Sequence, residues 1–315
     1  MKFLCLLVLL FCEAHAADER AMLIVVSEPG TATYEQEFRR QAKAWQDLAA
    51  KAKMDVSTIG LAKDSTDGDR PAVEKAITAL SKDGGDLWLI WIGHGSFDGR
   101  IANFNLRGPD IDSIAVRDLL NSFTRRLVIL NLFSASNPFL TALAGKDRVI
   151  ISSTRSGGER NYTRFGEKFA DALTAADTDL DLDGSLSLLE AALRAAAGTR
   201  AFYEDAQRVV QEHAVIDDNG DGLGTPIEKF KGLRAEVVGK SATPDGEIAR
   251  QINFPTPSSD SLAPQAKEKR AKLEIAIMAL KKRKAEIGEK EYYNELEKLM
   301  LGMAEVYGIK GKKDR

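Results

Sequence analysis

The stretch that decides the fold is Trp88-Leu-Ile-Trp-Ile-Gly-His-Gly-Ser-Phe-Asp-Gly99. It opens with an unbroken apolar run, which is typical of a strand buried on both faces of a parallel sheet. The run ends in Gly93-His94-Gly95, so the strand delivers one imidazole to the rim of the sheet. A second apolar run, Leu127 to Phe133, ends in the polar cluster Ser134-Ala-Ser136. Two neighbouring strands that present a histidine and a nucleophile at their carboxyl ends are typical of hydrolases.

Apolar runs alternate with amphipathic helices on either side of these two strands. Further strands are predicted at 22–27, 55–60 and 148–153, and helices at 34–52, from Pro71, at 114–123 and at 139–143. Repeated alternation of this kind indicates a doubly wound, mainly parallel α/β sheet with helices on both faces. We assign this domain to residues 17–161.

The first sixteen residues have the pattern of a signal peptide. Lys2 precedes an apolar run, and Ala14-His-Ala16 is a small-x-small cleavage signal. We therefore expect an exported protein, periplasmic or extracellular. The chain has two cysteines, Cys5 and Cys12, and both lie in this segment. The mature protein consequently has no disulfide, no thiolate metal site and no cysteine nucleophile.

Composition and charge narrow the range of partners. The formal net charge is −3, with the excess of basic residues confined to the region after Pro264. No basic stripe with interleaved aromatic residues occurs in the main body, so a nucleic-acid partner is not expected. Beyond the signal, no run approaches the roughly 20 apolar residues that a membrane span requires, so a membrane role is not expected either.

Residues 179–190, Asp-Leu-Asp-Leu-Asp-Gly-Ser-Leu-Ser-Leu-Leu-Glu, match the twelve-residue calcium loop of EF-hands. Positions one, three and five are acidic, position six is the hinge Gly184, and position seven offers a backbone carbonyl. The candidate ligands are Asp179, Asp181, Asp183, Ser185 and Glu190. A solvated acidic surface loop is the alternative, but crowded carboxylates without a cation repel one another.

Residues 217–228, Asp-Asp-Asn-Gly-Asp-Gly-Leu-Gly-Thr-Pro-Ile-Glu, repeat the same template. The candidate ligands here are Asp217, Asn219, Asp221, Leu223 and Glu228. Gly224 departs from the apolar residue expected at position eight, where paired loops meet. Predicted helices flank the loops, so we expect a paired EF-hand unit over 162–235 with two structural Ca²⁺ sites.

The remainder of the chain is predicted as a linker and a helical hairpin. Residues 236–264 are rich in Pro, Ser and Asp, which favours a linker. Residues 265–309 contain two apolar seams with spacings of three and four, joined at Ile287-Gly-Glu289, and these predict an antiparallel helical hairpin. Self-association through this hairpin is one of the partner hypotheses that the sequence allows.

The succession of strand, Gly93-His94-Gly95, strand and Asn131-Leu-Phe-Ser-Ala-Ser136 resembles the caspase and legumain group of cysteine peptidases. The resemblance covers residues 21 to about 175 and implies a caspase-like fold. It implies that His94 matches the catalytic histidine, Asn131 an acidic position, and Phe133 the catalytic cysteine. Because phenylalanine cannot attack a carbonyl, a thiolate–imidazole mechanism is excluded. The added calcium loops are similar to those of secreted bacterial caspase-like proteins.

Three interpretations follow from this pattern. In the first, the site is vestigial and the protein binds a protein or peptide ligand without cleaving it. In the second, Ser134 or Ser136 acts as a nucleophile with His94 as base, and the Gly93 or Gly95 amide forms an oxyanion hole. In the third, the chain is an unrelated sheet protein in which His94 merely caps a strand.

Overall fold

A computed structural model describes residues 20–62, 68–175, 178–181, 183–236, 244–254, 264–284 and 286–307. The predicted signal peptide lies outside these residues. The chain divides into two compact units, with the boundary after Pro255. No helix in the described part of the chain is long and apolar enough to span a membrane.

The first unit is built on a seven-stranded sheet. Its strands, in spatial order, are β11 (Thr225–Pro226), β10 (Val215–Asp217), β8 (Arg148–Ser152), β7 (Leu127–Phe133), β3 (Leu87–Gly93), β1 (Ala21–Val26) and β2 (Asp55–Ile59). Neighbouring strands from β2 to β8 are parallel, whereas β10 is antiparallel to both β8 and β11. The predicted α/β class, with a mainly parallel sheet, is therefore confirmed.

Helices cover both faces of the sheet. In the described residues the α-helices are α1 (Ala32–Lys51), α2 (Arg70–Ala79), α3 (Ser113–Leu120), α4 (Asn137–Leu143), α5 (Phe165–Ala172), α6 (Leu188–Asp205), α7 (Pro264–Lys282) and α8 (Glu289–Val306). One core cluster joins α1, α5 and α6 to one face of the sheet, and a second joins α2, α3 and α4 to the other. Alternate residues of each central strand supply the two clusters, as the twofold repeat of a strand requires.

Three small sheets complete the first unit. They are β4 (Gly95–Phe97) with β5 (Ala102–Phe104) and β6 (Ile111–Asp112), β12 (Phe230–Lys231) with β13 (Arg234–Ala235), and β9 (Leu186–Ser187) with β14 (Asn253–Phe254). The sequence pattern predicts no strand between residues 94 and 113. The strands there are three residues or fewer, too short for an alternating pattern to identify them.

The two acidic loops differ from the paired EF-hand unit that we predicted. The residues between Asp205 and the second loop form no helix, and the second loop is followed by a 3₁₀ turn, Ile227–Lys229, rather than by an α-helix. The second loop connects β10 to β11 inside the main sheet, and Leu186 of the first loop pairs with Phe254. The loops therefore belong to the α/β unit, and among the described residues their strands do not pair with each other.

Residues 244–254 also differ from the predicted linker. Ala249, Ile252 and Phe254 are buried, and Phe254 contacts the rings of Trp45 and Trp88 at centroid distances of 6.2 and 5.4 Å. The Pro, Ser and Asp content of this segment favours a linker, but its few apolar residues pack against one edge of the core. This segment is part of the first unit.

The second unit contains α7 and α8, which form the predicted antiparallel hairpin. Lys269 pairs with Glu305 at 2.9 Å near one end, and the ammonium of Lys284 lies 5.3 Å from the ring centroid of Tyr292 near the other. Leu280 and Tyr292 are buried, whereas Tyr293 and Met300 are about half exposed. The apolar seam of α8 therefore lies partly off the positions predicted for it.

Candidate functional site

His94 lies at the carboxyl end of β3, half-buried at the rim of the sheet. Its backbone N–H donates to Ser27 Oγ at 2.9 Å, and its ring donates to the carbonyl of Pro29. Three aromatic rings, those of Tyr34, Phe38 and Tyr162, surround the imidazole at centroid distances of 4.8, 5.2 and 5.7 Å. Burial lowers the pKa of His94 below its ordinary value, so the ring is neutral at neutral pH.

Phe133 lies on the opposite face of the sheet from the His94 ring. It belongs to the core cluster beneath α2, α3 and α4, whereas Phe38, which contacts His94, belongs to the other cluster. Phe133 is fully buried against Phe104 and Phe139, at centroid distances of 5.0 and 5.1 Å. A side chain at position 133 therefore points into the core rather than toward the imidazole.

Ser134 is buried, and its hydroxyl is engaged by Gly95. The Oγ atom donates to the Gly95 carbonyl at 3.1 Å and accepts from the Gly95 N–H at 3.2 Å. The same N–H is one of the two amides considered for an oxyanion hole, and here it is used within the protein. Among the described residues, no hydrogen bond joins Ser134 to the His94 ring.

Ser136 and Asn131 belong to a buried polar cluster with Ser152, the last residue of β8, and Thr154, two residues after it. Ser136 Oγ lies 3.2 Å from Thr154 Oγ1, and the Ser136 N–H donates to the same Thr154 hydroxyl. Asn131 Nδ2 donates to Ser152 Oγ at 3.0 Å. Both Ser136 and Asn131 are fully buried. The cluster joins β7 to β8, and among the described residues none of its hydrogen bonds reaches His94.

A cavity of about 330 Å³ opens beside the His94 site, beyond the ends of β1 and β2. Its floor includes the buried residues Val26 and Phe38. Its walls include Pro29, the residue whose carbonyl binds the His94 ring, and two arginines. Arg39 donates to Glu35 and to the Leu61 carbonyl, at 2.9 and 2.7 Å. Ligands of open α/β sheets bind at this edge, outside the carboxyl ends of the strands.

The first acidic loop has the backbone geometry that its sequence predicts. The carboxylates of Asp179, Asp181 and Asp183 lie within 4.8 Å of one another, the one such group of three in the described part of the chain. Gly184 has a φ of 79°, which favours glycine, and its N–H donates to Asp179 Oδ2 at 2.8 Å. These oxygens form a hard donor set of the kind that Ca²⁺ prefers.

The second loop repeats this hydrogen-bond pattern position by position. Gly222 has a φ of 75°, and its N–H donates to Asp217 Oδ2 at 2.7 Å, as Gly184 does to Asp179. The Asp221 N–H donates to Asn219 Oδ1, and the Leu223 N–H to Asp221 Oδ1, both at 2.9 Å. Burial, then the charges of Asp245 and Asp221, raise the pKa of Asp217 to about 6. A bound cation would relieve this repulsion.

The twelfth residues of the two loops differ. Glu190 returns to its own loop, where Oε1 accepts from the Leu180 N–H at 2.8 Å while Oε2 accepts from the Ser187 N–H at 2.8 Å. Glu228 is exposed and lines a separate cavity of about 220 Å³ with Glu212 and His213. In the first loop the carboxylates of Asp179, Asp181 and Asp183 are therefore gathered, while both oxygens of Glu190 accept from backbone N–H groups. In the second loop Asp217, Asn219 and Asp221 are held by the same pattern of backbone hydrogen bonds.

Some residues of these sites gave no signal in the sequence. His213 lies outside the helices, eight residues after the end of α6, and its Nδ1 lies 2.6 Å from Glu159 Oε1. Pro29 reaches His94 across a loop, a contact that sequence spacing does not encode. Asp218 and Asp245 are buried and hydrogen-bonded to each other's segments, although the loop template assigns neither a role. The doublet Asp217-Asp218 was the available hint.

Comparison with known proteins gives a likeness of fold only. No protein-family profile matches the sequence, and no curated protein is significantly similar to it. The initiator caspase Dronc of Drosophila is 13% identical over 66% of this chain and 81% of its own, with a TM-score of 0.42. Caspase-1 of Spodoptera frugiperda is 10% identical over 64% of this chain and 86% of its own, with a TM-score of 0.40. No residue role is transferred from either protein.

Proposed function

We propose that this chain is an exported, calcium-binding protein of caspase-like fold that binds a protein or peptide without cleaving it. The observation that carries the proposal is the environment of His94. The ring faces aromatic side chains and a backbone carbonyl, and the hydroxyl groups considered as nucleophiles are bonded elsewhere.

The hydrogen bonds of Ser134 and Ser136 support a non-catalytic role. A serine nucleophile needs its base within hydrogen-bond reach. Ser134 instead binds both backbone polar groups of Gly95, and Ser136 is fully buried against Thr154. Freeing Ser134 would break both hydrogen bonds and leave the Gly95 N–H without its partner, at a cost of about 1–3 kcal/mol if it stays buried.

The cavity beside His94 supports ligand binding at the rim. It combines an apolar floor with a few polar groups, as sites for small ligands and single side chains do. Arg39 and Arg107 are already paired with Glu35 and Asp69, so neither arginine offers an unpaired positive charge to a ligand. This disfavours a peptide that requires an acidic anchor.

The acidic loops support calcium binding as the second part of the function. Asp179, Asp181 and Asp183 would hold the ion in the first loop, and Asp217, Asn219 and Asp221 would contribute in the second. A bound ion would supply positive charge that offsets the crowded carboxylates and orders each loop. Because both loops belong to the α/β unit, this ordering would stabilise the sheet that carries His94.

Catalysis is tested with the mature protein, a peptide library and a fluorophosphonate probe, with calcium present. We expect neither cleavage nor labelling, because no hydrogen bond joins a hydroxyl group to the imidazole in the part of the chain that the structure describes. His94→Ala and Ser134→Ala are the matched controls. Cleavage that either substitution abolishes would overturn the proposal and establish the serine-dependent alternative.

Ligand binding is tested by filling the mouth of the cavity. Ala62 is exposed and lines the cavity, so Ala62→Trp should block it without disturbing the core. Ala79→Trp is the matched control, because Ala79 is equally exposed and does not line the cavity. Peptides selected on the wild-type protein should lose affinity at least tenfold for Ala62→Trp and keep it for Ala79→Trp. Equal affinity for both variants would exclude this cavity as the binding site.

A further inference from the structure

The segment from Pro244 to Phe254 contacts both acidic loops. We infer that it couples them, with Asp218 and Asp245 as positioning residues for the second loop, so that calcium bound in one loop strengthens calcium binding in the other. This inference rests on the proposed calcium function. It assigns a role to two residues that are not ligands in the calcium-loop template, and it identifies the segment that connects the two sites.

At the second loop, two buried aspartates fasten the loop and the segment to each other. Asp245 Oδ1 accepts from the N–H groups of Asp218 and Asn219 at 3.1 and 3.4 Å, and Oδ2 accepts from the Thr225 hydroxyl at 2.6 Å. In return, Asp218 Oδ1 accepts from the Gly246 N–H at 2.9 Å. Each carboxylate is thus held by donors from the other's stretch of chain.

Asp218 also organises the segment itself. Its Oδ2 accepts from the N–H groups of Ile248 and Ala249, both at 2.8 Å, at the start of the 3₁₀ turn Ala249–Gln251. Gly246 has a φ of 96°, and a Cβ there would lie 2.6 Å from the Phe230 ring. The backbone of the segment is therefore tightly constrained between the second loop and the core. A displacement of Asp218 would be transmitted directly to the 3₁₀ turn.

At the first loop, the far end of the segment continues the same chain of bonds. Asn253 and Phe254 pair with Ser187 and Leu186, and the Ile252 carbonyl accepts from the Leu188 N–H at 2.8 Å. Ser187 in turn donates from its N–H and hydroxyl to Glu190 Oε2, at 2.8 and 2.7 Å. The other oxygen of Glu190 accepts from the backbone of the first loop, as described above. An unbroken series of hydrogen bonds thus joins one loop to the other.

This arrangement predicts positive cooperativity. Ordering a loop around an ion carries an entropic cost, and part of that cost here falls on the shared segment. When the first ion has already ordered the segment, the second ion orders less chain and binds more tightly. By thermodynamic linkage the effect is reciprocal, and couplings of this kind change affinity by about 5- to 150-fold.

The test is a cycle of substitutions in the mature chain, read by calorimetric titration with Ca²⁺. Asp181→Lys disables the first loop at an exposed ligand position. We expect it to weaken calcium binding in the second loop about fivefold or more. In an Asp218→Asn background the same change should have less than a twofold effect, because both Asp218 oxygens accept from backbone N–H groups and an amide nitrogen cannot.

Asp245→Asn is the matched control. Its remaining oxygen can still accept from the Asp218 and Asn219 N–H groups, and its amide can donate to the Thr225 hydroxyl. The fivefold effect of Asp181→Lys should therefore persist in this background. If the Asp218→Asn background instead shows the full effect, the positioning role of Asp218 is wrong.

A second measurement does not depend on how well Asp218→Asn folds. In the Asp181→Lys chain, calcium binding at the second loop should slow hydrogen exchange of the Leu188 amide, which reports the far end of the segment. Unchanged exchange would overturn the inference. If both loops of the wild-type protein bind calcium independently, the inference fails while the proposed calcium function stands; if neither binds, the proposed function itself fails.

Discussion

Phe133→Cys is the substitution that best separates the sequence resemblance from the structure. The resemblance places Phe133 at the position of a catalytic cysteine, so restoring a thiol there would be expected to restore a nucleophile. The structure predicts otherwise, because Phe133 faces the core beneath α3 and α4 while the His94 ring faces α1. We expect no peptidase activity from this variant.

The stability loss can be worked out from the packing. Phe133 is fully buried, and truncating such a residue to alanine costs about 3–5 kcal/mol. Its edge-to-face contacts with Phe104 and Phe139 are each worth roughly 0.5–1.5 kcal/mol of that loss. A cysteine restores one buried sulfur, so we expect a loss of about 3 kcal/mol in the free energy of unfolding. Urea denaturation measures it.

The two cysteines of the chain, Cys5 and Cys12, both lie in the predicted signal peptide, so in a protein that starts at Ala17 the new thiol can be followed alone by iodoacetamide labelling. The buried Cys side chain should react at least a hundredfold more slowly than that of Ser96→Cys, an exposed position on β4 that serves as the control. Labelling at the rate of the control, a stability loss below 1 kcal/mol, or peptide cleavage would refute the reasoning.

Three further outcomes follow from the same contacts. Burial lowers the pKa of His94 in the folded protein. The stability that the neutral ring contributes is therefore present above the unfolded pKa of about 6.5 and is lost as the pH falls through the lower folded pKa. Between pH 7 and pH 5, His94→Phe should lose less stability than wild type in guanidinium titrations. Phe254→Ala should destabilise the protein by about 3–5 kcal/mol in urea, because Phe254 packs on Trp45 and Trp88, whereas a residue of a free linker would change stability by less than 0.5 kcal/mol. Gly246→Ala should lower the unfolding midpoint through its positive φ and its clash with Phe230, and an unchanged midpoint would show that the segment is not held as described.

The main sheet was predictable because its strands are long and apolar. β3 and β7 are buried at every position, and such runs read clearly in a sequence. The backbone of the acidic loops was predictable for a different reason: the twelve-residue template fixes residue types at fixed spacing, and Asp179 to Gly184 and Asp217 to Gly222 adopt the hydrogen bonds that the template requires.

The parts that were not predictable depend on contacts between distant segments. β10 and β11 contain three and two residues, so nothing in their pattern shows that they extend the main sheet. The packing of residues 244–254 against the rest of the first unit depends on Asp218 and Asp245, two acidic residues that would be expected from the sequence to be exposed. The alternation of side chains along a strand could have predicted that Phe133 and Ser134 lie on opposite faces of the sheet. It could not have predicted the hydrogen bonds between Ser134 and Gly95.

Tryptophan fluorescence during unfolding tests the central claim most directly. The three tryptophans of the chain, Trp45, Trp88 and Trp91, lie in α1 and β3, away from both acidic loops in the sequence. If the loops bind calcium as part of the α/β unit, calcium at a hundredfold excess over its dissociation constant should stabilise the tryptophan-reported transition by about 2.7 kcal/mol per site. If calcium leaves the midpoint of the tryptophan-reported transition unchanged and shifts the midpoint of a separate transition, the account is contradicted.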